Sequence, residues 1–257
     1  MKIALLGYGR MGKTIDELAL AAGHEVVLRS SRPAEDRAQL IQADVAIEFS
    51  RPEYALENIE LCLQAGIPVV CGTTGWLTKG VTGNESFGPV QDWVNKHQSA
   101  FFYASNFSIG VNLFFKLNQY LAKMMADLPD YAAELREIHH IHKLDAPSGT
   151  AITLAEDLVS SHPKLSDWQL VEERWPKEQI DKDFKVAKRN ENSLPIAAER
   201  AGETPGTHRI TYRSEVDTIY IEHEAHGRTG FAKGALAAAE WLVGKQGVFG
   251  MKDLLQF

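Results

Sequence analysis

The chain opens with the apolar run KIALL at residues 2–6 and turns at once through Gly7-Tyr8-Gly9-Arg10-Met11-Gly12 into a helical pattern over residues 11–22 that Gly23 closes. Few architectures accept three glycines at this spacing between a buried strand and a helix. The glycines permit a tight turn and a close approach of the backbone, and the helix behind them presents free N–H groups to whatever lies above the strand. Alone the pattern is weak, but in this context it is the fingerprint of a bound dinucleotide pyrophosphate.

The next hundred residues keep the same rhythm. Residues 25–29 (EVVLR), 44–49 (DVAIEF), 68–71 (PVVC) and 100–103 (AFFY) are short apolar runs. Helical patterns separate them, one of which Pro52 can start and another of which covers residues 90–97. This alternation predicts an α/β fold with a Rossmann-like parallel sheet. After Ser108 the rhythm changes. Residues 109–125 form one long amphipathic helix, 133–140 a strand and 150–160 a helix, while 163–185 show no clear period and read as loop with short pieces. HRITYRSEVDTIYIEHE, residues 208–224, alternates as a hairpin turning near Ser214 to Asp217. An Ala-rich helix over 230–244 is expected to pack back on the first sheet. The division expected is 1–108 with 228–257 as the dinucleotide-binding domain. Residues 109–227 form an α+β domain for substrate binding and oligomerisation, with a mixed or antiparallel sheet.

Composition narrows the partners. A net charge of -7 argues against nucleic acid and against anionic membrane surfaces. No run approaches the ~20 apolar residues of a membrane span. The N-terminal apolar run is too short for a signal peptide, so a cytoplasmic chain is expected. Cys62 and Cys71 sit in a helical pattern and at the end of an apolar run, as buried thiols rather than a disulfide or a metal knuckle.

Three further stretches carry chemistry. The second strand ends Leu28-Arg29-Ser30-Ser31-Arg32, without the acid that holds the ribose of NAD; arginines and serines there suit a 2′-phosphate, against a plain solvated turn. Gly72-Thr73-Thr74-Gly75 and Ser105-Asn106-Phe107-Ser108 follow the fourth and fifth strands, where open α/β sheets bind ligands and where amides could orient a nicotinamide. Turn and cap chemistry is the alternative, and Ser108 would cap the long helix in either case.

EIHHIHKLDAPSGT, residues 137–150, allows three readings. A metal site needs three or four converging ligands. Strand alternation would send His140 and His142 one way and His139 and Lys143 the other, and the lysine ammonium would repel a cation. A polar strand end is the second reading. The third takes Lys143 as a cation with His139 as a neighbouring proton-transfer group. Ser148-Gly149-Thr150 then opens a helix whose N–H groups form a second anion grip. Two such grips suggest a dicarboxylate, and this third reading is the one the spacing favours.

Glu137-x-His139-His140-x-x-Lys143-x-Asp145-Ala146-Pro147-Ser148-Gly149-Thr150-Ala151 resembles the signature of the 4-hydroxy-tetrahydrodipicolinate (dihydrodipicolinate) reductase family of lysine and diaminopimelate biosynthesis. The resemblance spans nearly the whole chain. It takes in the glycine turn, Gly72-Thr73-Thr74-Gly75, Asn106-Phe107-Ser108-x-Gly110-Val111-Asn112, Arg200-x-Gly202 with Gly206-x-His208, and His223, Arg228 and Phe231-Ala232-x-Gly234-Ala235.

It implies His139 as proton donor and acceptor and Lys143 as proton donor, with His140, Gly149 and Thr150 binding the substrate carboxylates and no metal. It implies NADPH or NADH lying across Gly7, Tyr8, Gly9, Arg10, Met11, Gly12, Gly72, Thr73, Thr74, Ala104, Ser105, Asn106 and Phe107, with Arg32 as the 2′-phosphate contact. Hydride would add to the ring of a cyclic imine dicarboxylate. The assembly implied is a homotetramer joined through the sheets of the second domains. Two departures stand out: Glu48-Phe49-Ser50 stands where the family often has Asp-Phe-Thr or Asp-Phe-Ser, and the chain is shorter than many members, with one residue fewer in the glycine loop. The competing readings are another Rossmann oxidoreductase of amino-acid metabolism, which should lack His-His-x-x-Lys and the Ser-Gly-Thr helix, and a dinucleotide-sensing regulator, which should lack a proton donor.

Overall fold

A computed structural model describes residues 1–31, 35–79, 85–174, 185–186 and 190–257. β1 (Lys2–Leu6), α1 (Arg10–Ala21), β2 (Glu25–Ser30), α2 (Arg37–Leu40), β3 (Val45–Glu48), α3 (Pro52–Gln64) and β4 (Val69–Cys71) alternate as the glycine turn and apolar runs predict. A two-stranded ribbon, β5 (Thr78–Lys79) with β6 (Glu85–Ser86), precedes α4 (Val90–His97) and β7 (Ala100–Tyr103). α5 (Ile109–Met125) leads to β8 (Ala132–His139), α6 (Gly149–Ser161), β9 (Asp167–Arg174), β10 (Lys185–Val186), β11 (Ser193–Arg200), β12 (Thr207–Arg213) and β13 (Thr218–Glu224). The chain ends with α7 (Thr229–Leu242), β14 (Gly247–Phe249) and α8 (Met251–Leu255).

Two compact units result: Met1–Ile109 with Arg228–Phe257, and Gly110–Gly227. In unit 1 the sheet runs β14-β7-β4-β3-β1-β2, all parallel. Its inner strands bury both faces, so they read as continuous apolar runs. Alternate residues feed opposite layers. Ile3, Leu5, Ile47 and Phe102 pack with α1, α7 and α8, whereas Ala4, Leu6, Val69 and Phe101 pack with α3 and α4.

In unit 2 the sheet runs β10-β9-β11-β8-β12-β13 and is mixed, with β9, β11 and β8 parallel and β10, β12 and β13 antiparallel to their neighbours. α5 and α6 cover one face through Phe114, Leu121, Met125, Leu154 and Leu158, packed on Leu135, Ile196, Ile210 and Tyr212. The expected 208–224 hairpin forms, closed by the Ser214 amide on Asp217 O at 3.0 Å.

Three strands of this sheet escaped the sequence pattern, the two-residue β10 and the longer β9 and β11. β11 carries Pro195 and two alanines, which weaken any strand signal. β9 (DWQLVEER) is only half-buried along most of its length, so its polarity hides it. The strand before the signature ends at His139. Residues beyond it turn, and strand alternation does not apply to His140 and His142.

Candidate active site

Along β8 the buried residues run Ala133, Leu135, Glu137 and His139, apolar under the helices and polar toward the strand's end. Register supplies the neighbours: Arg200 on β11 pairs with His139, and His208 on β12 pairs with Glu137. The chain then turns into α6, whose N-cap Ser148 accepts the Ala151 amide at 3.2 Å. The Gly149 and Thr150 amides open the helix and by position have no intrahelical acceptor.

Glu137 is fully buried among donors. The Ser148 amide reaches both carboxylate oxygens at 3.1 Å, and Arg200 Nη2 donates to Oε1 at 3.1 Å. His139 Nδ1 and His208 Nε2 lie 3.5 and 3.6 Å from Oε2. Burial alone would favour the protonated acid. Bonds from His208 and Ser148, with the charges of His139 and Arg200, reverse this and bring Glu137 down to about 2. Burial pushes His139 down to about 4 against the opposing pull of Glu137, with the charges of His208, Lys143 and Arg200 adding to the downward shift. At neutral pH Glu137 is therefore a carboxylate and His139 a neutral imidazole.

Ligand atoms of Glu137, His139 and His208 lie within 4.8 Å of one another; alternation along β8 puts the first two on one face, and the pairing of β12 with β8 adds the third. Both oxygens of Glu137 are already engaged by N–H donors, and the cation within this cluster is the Arg200 guanidinium.

Lys143 Nζ donates to both oxygens of Asp145, at 2.9 and 2.8 Å. Arg200 fixes the same turn from below, donating to Lys143 O at 3.1 Å and to Asp145 O. His140 Nδ1 is buried with no hydrogen-bond partner among the described residues. His142, by contrast, is exposed against Glu203 at 3.1 Å. The structure thus gathers His139, Lys143 and the start of α6 in unit 2 and adds Glu137, Arg200 and His208. The motif reading had quoted those three without giving them a task.

In unit 1 the glycine turn borders a cavity of about 700 Å³ lined by Gly7, Tyr8, Gly9, Ser31, Phe49 and Ser50 among others. Gly7 has φ +92°, and a Cβ there would stand 2.3 Å from Phe49 O; at Gly12 it would stand 2.3 Å from Gly7 O. Gly9, the N-cap of α1, meets nothing within 4 Å and adds no side-chain cap, which leaves the first amides of Arg10, Met11 and Gly12 for an anion. Thr73 Oγ1 is buried with no partner among the described residues, while Trp76 Nε1 donates to Thr73 O at 2.8 Å. Gly72 is pressed by the Phe49 ring, where a Cβ would come within 2.2 Å.

Gly72, Thr73 and Thr74 follow β4, and Ala104, Ser105 and Asn106 follow β7, at the carboxyl edge of the sheet. Phe107 is buried against Phe49 and Phe102, so its ring belongs to the core. Arg32 lies outside the described residues. Arg29, expected beside it at a phosphate, is instead paired with Asp16 through two bonds of 2.7 Å, and Tyr8 Oη donates to the same carboxylate at 2.6 Å.

A glycine turn opening an uncapped helix at the carboxyl edge of a parallel sheet is the arrangement of a dinucleotide-binding domain. Comparison with known proteins makes this specific. Residues 1–107 match the profile of dihydrodipicolinate reductase, N-terminus, and residues 110–255 that of its C-terminus. The chain is 46% identical to 4-hydroxy-tetrahydrodipicolinate reductase of Christiangramia forsetii, covering 99% of this chain and 98% of that protein. It is 32% identical to the enzyme of the same name from Ralstonia nicotianae, over 99% of each. In fold it is similar to a dipicolinate-bound dihydrodipicolinate reductase from Paenisporosarcina sp. TG-14, with TM-score 0.74, 21% identity and 98% of each chain covered. This chain belongs to the dihydrodipicolinate reductase family of NAD(P)H-dependent oxidoreductases.

Proposed function

We propose that unit 2 holds a cyclic dicarboxylate and supplies its proton while unit 1 holds NADPH or NADH. The reaction is the family's reduction of 4-hydroxy-tetrahydrodipicolinate in lysine and diaminopimelate biosynthesis. Bound NAD(P)H supplies a hydride. The observation that carries the reading is the grouping of Lys143, His139 and the α6 amides on one turn of unit 2. The amides of Gly149 and Thr150, with His140, take the carboxylates, and the Lys143 ammonium, exchanging Asp145 for substrate, donates a proton. His140, its Nδ1 buried and unpartnered, turns to the substrate as well. His139 starts neutral, and two carboxylates beside it favour its protonated form, so it gains a proton as substrate binds and can pass it on.

The cavity beside Gly7, Tyr8 and Gly9 is of dinucleotide size, the α1 amides suit a pyrophosphate, and the orphaned Thr73 hydroxyl suits a polar nicotinamide substituent. Loss of reduced-nicotinamide absorbance on adding enzymatically generated substrate, with each cofactor in turn, tests the reading. No oxidation with either would overturn it.

The same reading includes a homotetramer working in the cytoplasm. β13 forms an open sheet edge with Ile219 and Tyr220 39% and 59% exposed, and α5 leaves Leu113, Leu117, Tyr120 and Met124 exposed at helical spacing. Soluble chains usually cover such edges and stripes, and copies of the chain are the simplest cover. Two free buried cysteines fit a reducing compartment, and no described helix is long and apolar enough to cross a membrane. Light scattering should give the mass of four chains, and a fully active monomer would remove the tetramer.

A further inference from the structure

Beneath the residues assigned to substrate lie two charges that the reaction does not touch, Glu137 and Arg200, with side chains 0% and 1% exposed. A buried ion pair is weak support for a fold, because desolvation offsets most of the attraction. What these two reach is more telling. Glu137 meets His139 Nδ1 on its own strand and the Ser148 amide that precedes the α6 anion grip. Arg200 holds the carbonyls of Lys143 and Asp145. Each segment that carries a proposed substrate contact is thus fastened to one or other member of the pair. On the far side of the His139 ring, Nε2 faces Gly206, where a Cβ would stand 3.1 Å away, so the missing side chain leaves room at that nitrogen.

We propose that Glu137 and Arg200 are the positioning pair of the site: Glu137 holds the Nδ1–H tautomer of His139, leaving Nε2 to exchange the proton, and Arg200 fixes the turn that aims Lys143. This rests on the reading that His139 and Lys143 act on substrate. His139 Nδ1 is buried with no hydrogen bond among the described residues, and Glu137 Oε2, 3.5 Å away, is the carboxylate oxygen facing it; such catalytic bonds commonly tighten only once substrate binds. The charged and titratable groups facing His139 are Glu137, His208, Lys143 and Arg200, and of these only Glu137 favours the imidazolium.

Glu137→Gln keeps the shape and removes the charge. In the full chain it should lower kcat about 10- to 100-fold, the usual cost of losing an orienting partner. It should also move the His139 limb of the kcat–pH profile to lower pH, with NADH affinity unchanged. A merely structural role would lower the melting temperature without moving that limb. Arg200→Lys should lower kcat while the limb stays closer to its original position. His139→Gln and Lys143→Ala separate the two levels of the argument. If both keep full kcat, the site reading falls and the positioning pair with it. If both are inactive while Glu137→Gln keeps kcat and limb, the positioning pair alone falls. Should Glu137→Gln not fold, 15N NMR of imidazole-labelled wild-type chain decides: a neutral His139 protonated at Nδ1 is expected, and protonation at Nε2 overturns the proposal.

Discussion

In unit 1 the turn facing the cavity is made by six consecutive residues, whereas in unit 2 the polar cluster draws on β8, β11, β12 and the start of α6. The first needs small residues and a strand–helix junction, both local. The second needs a register: Arg200 and Glu137 are 63 residues apart and Ser148 and His208 are 60 apart, and they meet because β11 and β12 flank β8. A local device tolerates change elsewhere in the sheet. A device spread over three strands ties its chemistry to the packing beneath it.

The sharpest way to break this comparison is to remove the proposed proton-transfer groups, Lys143 and His139, and ask whether unit 1 notices. Lys143→Ala should lower kcat by roughly 10²- to 10⁴-fold, the range for a positioned general acid, and His139→Ala should also lower it. NADPH affinity, measured by fluorescence titration, should survive both. A Lys143→Ala enzyme with near-normal kcat would remove that residue from the mechanism. Activity lost to chelators and restored by zinc would instead revive a metal reading, now with Glu137, His139 and His208 as the ligands.

This contrast also explains what the sequence made legible. The parallel sheet announced itself because its inner strands are continuous apolar runs, and the glycine turn because its spacing is a steric demand visible at Gly7 and Gly12. The substrate side was legible as far as one motif extends: His139, Lys143 and Ser148 stand within ten positions. Glu137 lies in the same motif, and strand alternation puts it on the face of β8 that carries His139, but the motif alone does not show the donors that surround it. Arg200 became a partner only through β11, the strand that Pro195 concealed, and His208 only through the pairing of β12 with β8. Arg29 misled for a related reason. An arginine at the end of β2 suits a phosphate, but Asp16 on α1 reaches it first.

A smaller effect, specific to unit 2, is expected in acid. His139 titrates near 4 in the folded chain and near 6.5 when unfolded, so between these values the unfolded state binds the extra proton. Stability should fall as pH drops through that window. Glu137, held down to about 2, contributes stability that is present above about 4.5 and is lost as pH falls toward 2. The two effects run in the same direction and in succession. Urea unfolding at stepped pH checks this: His139→Gln should flatten the upper part of the curve and leave the lower part. An unchanged slope between pH 4 and 6.5 in that variant would show that His139 is not held neutral by the fold.

The smallest effect separates two arginines three positions apart. Arg29 pairs with Asp16, whose side chain is 8% exposed, while its own side chain is 36% exposed and open to solvent screening. Arg29→Ala should therefore cost about 1 kcal/mol of stability, the upper end for a screened pair, and loosen Tyr8 through their shared carboxylate. Because that arginine is committed to the fold, the ratio of kcat/KM for NADPH over NADH should stay as it was. Arg32→Ala should do the reverse, leaving the melting temperature in place and lowering that ratio several-fold through loss of a charge-assisted phosphate contact. With Arg32 intact, NADPH should serve at least as well as NADH. A strong preference for NADH that Arg32→Ala does not alter would show that the ribose turn of unit 1 carries no phosphate contact, and that serine and arginine after β2 are there for solvent alone.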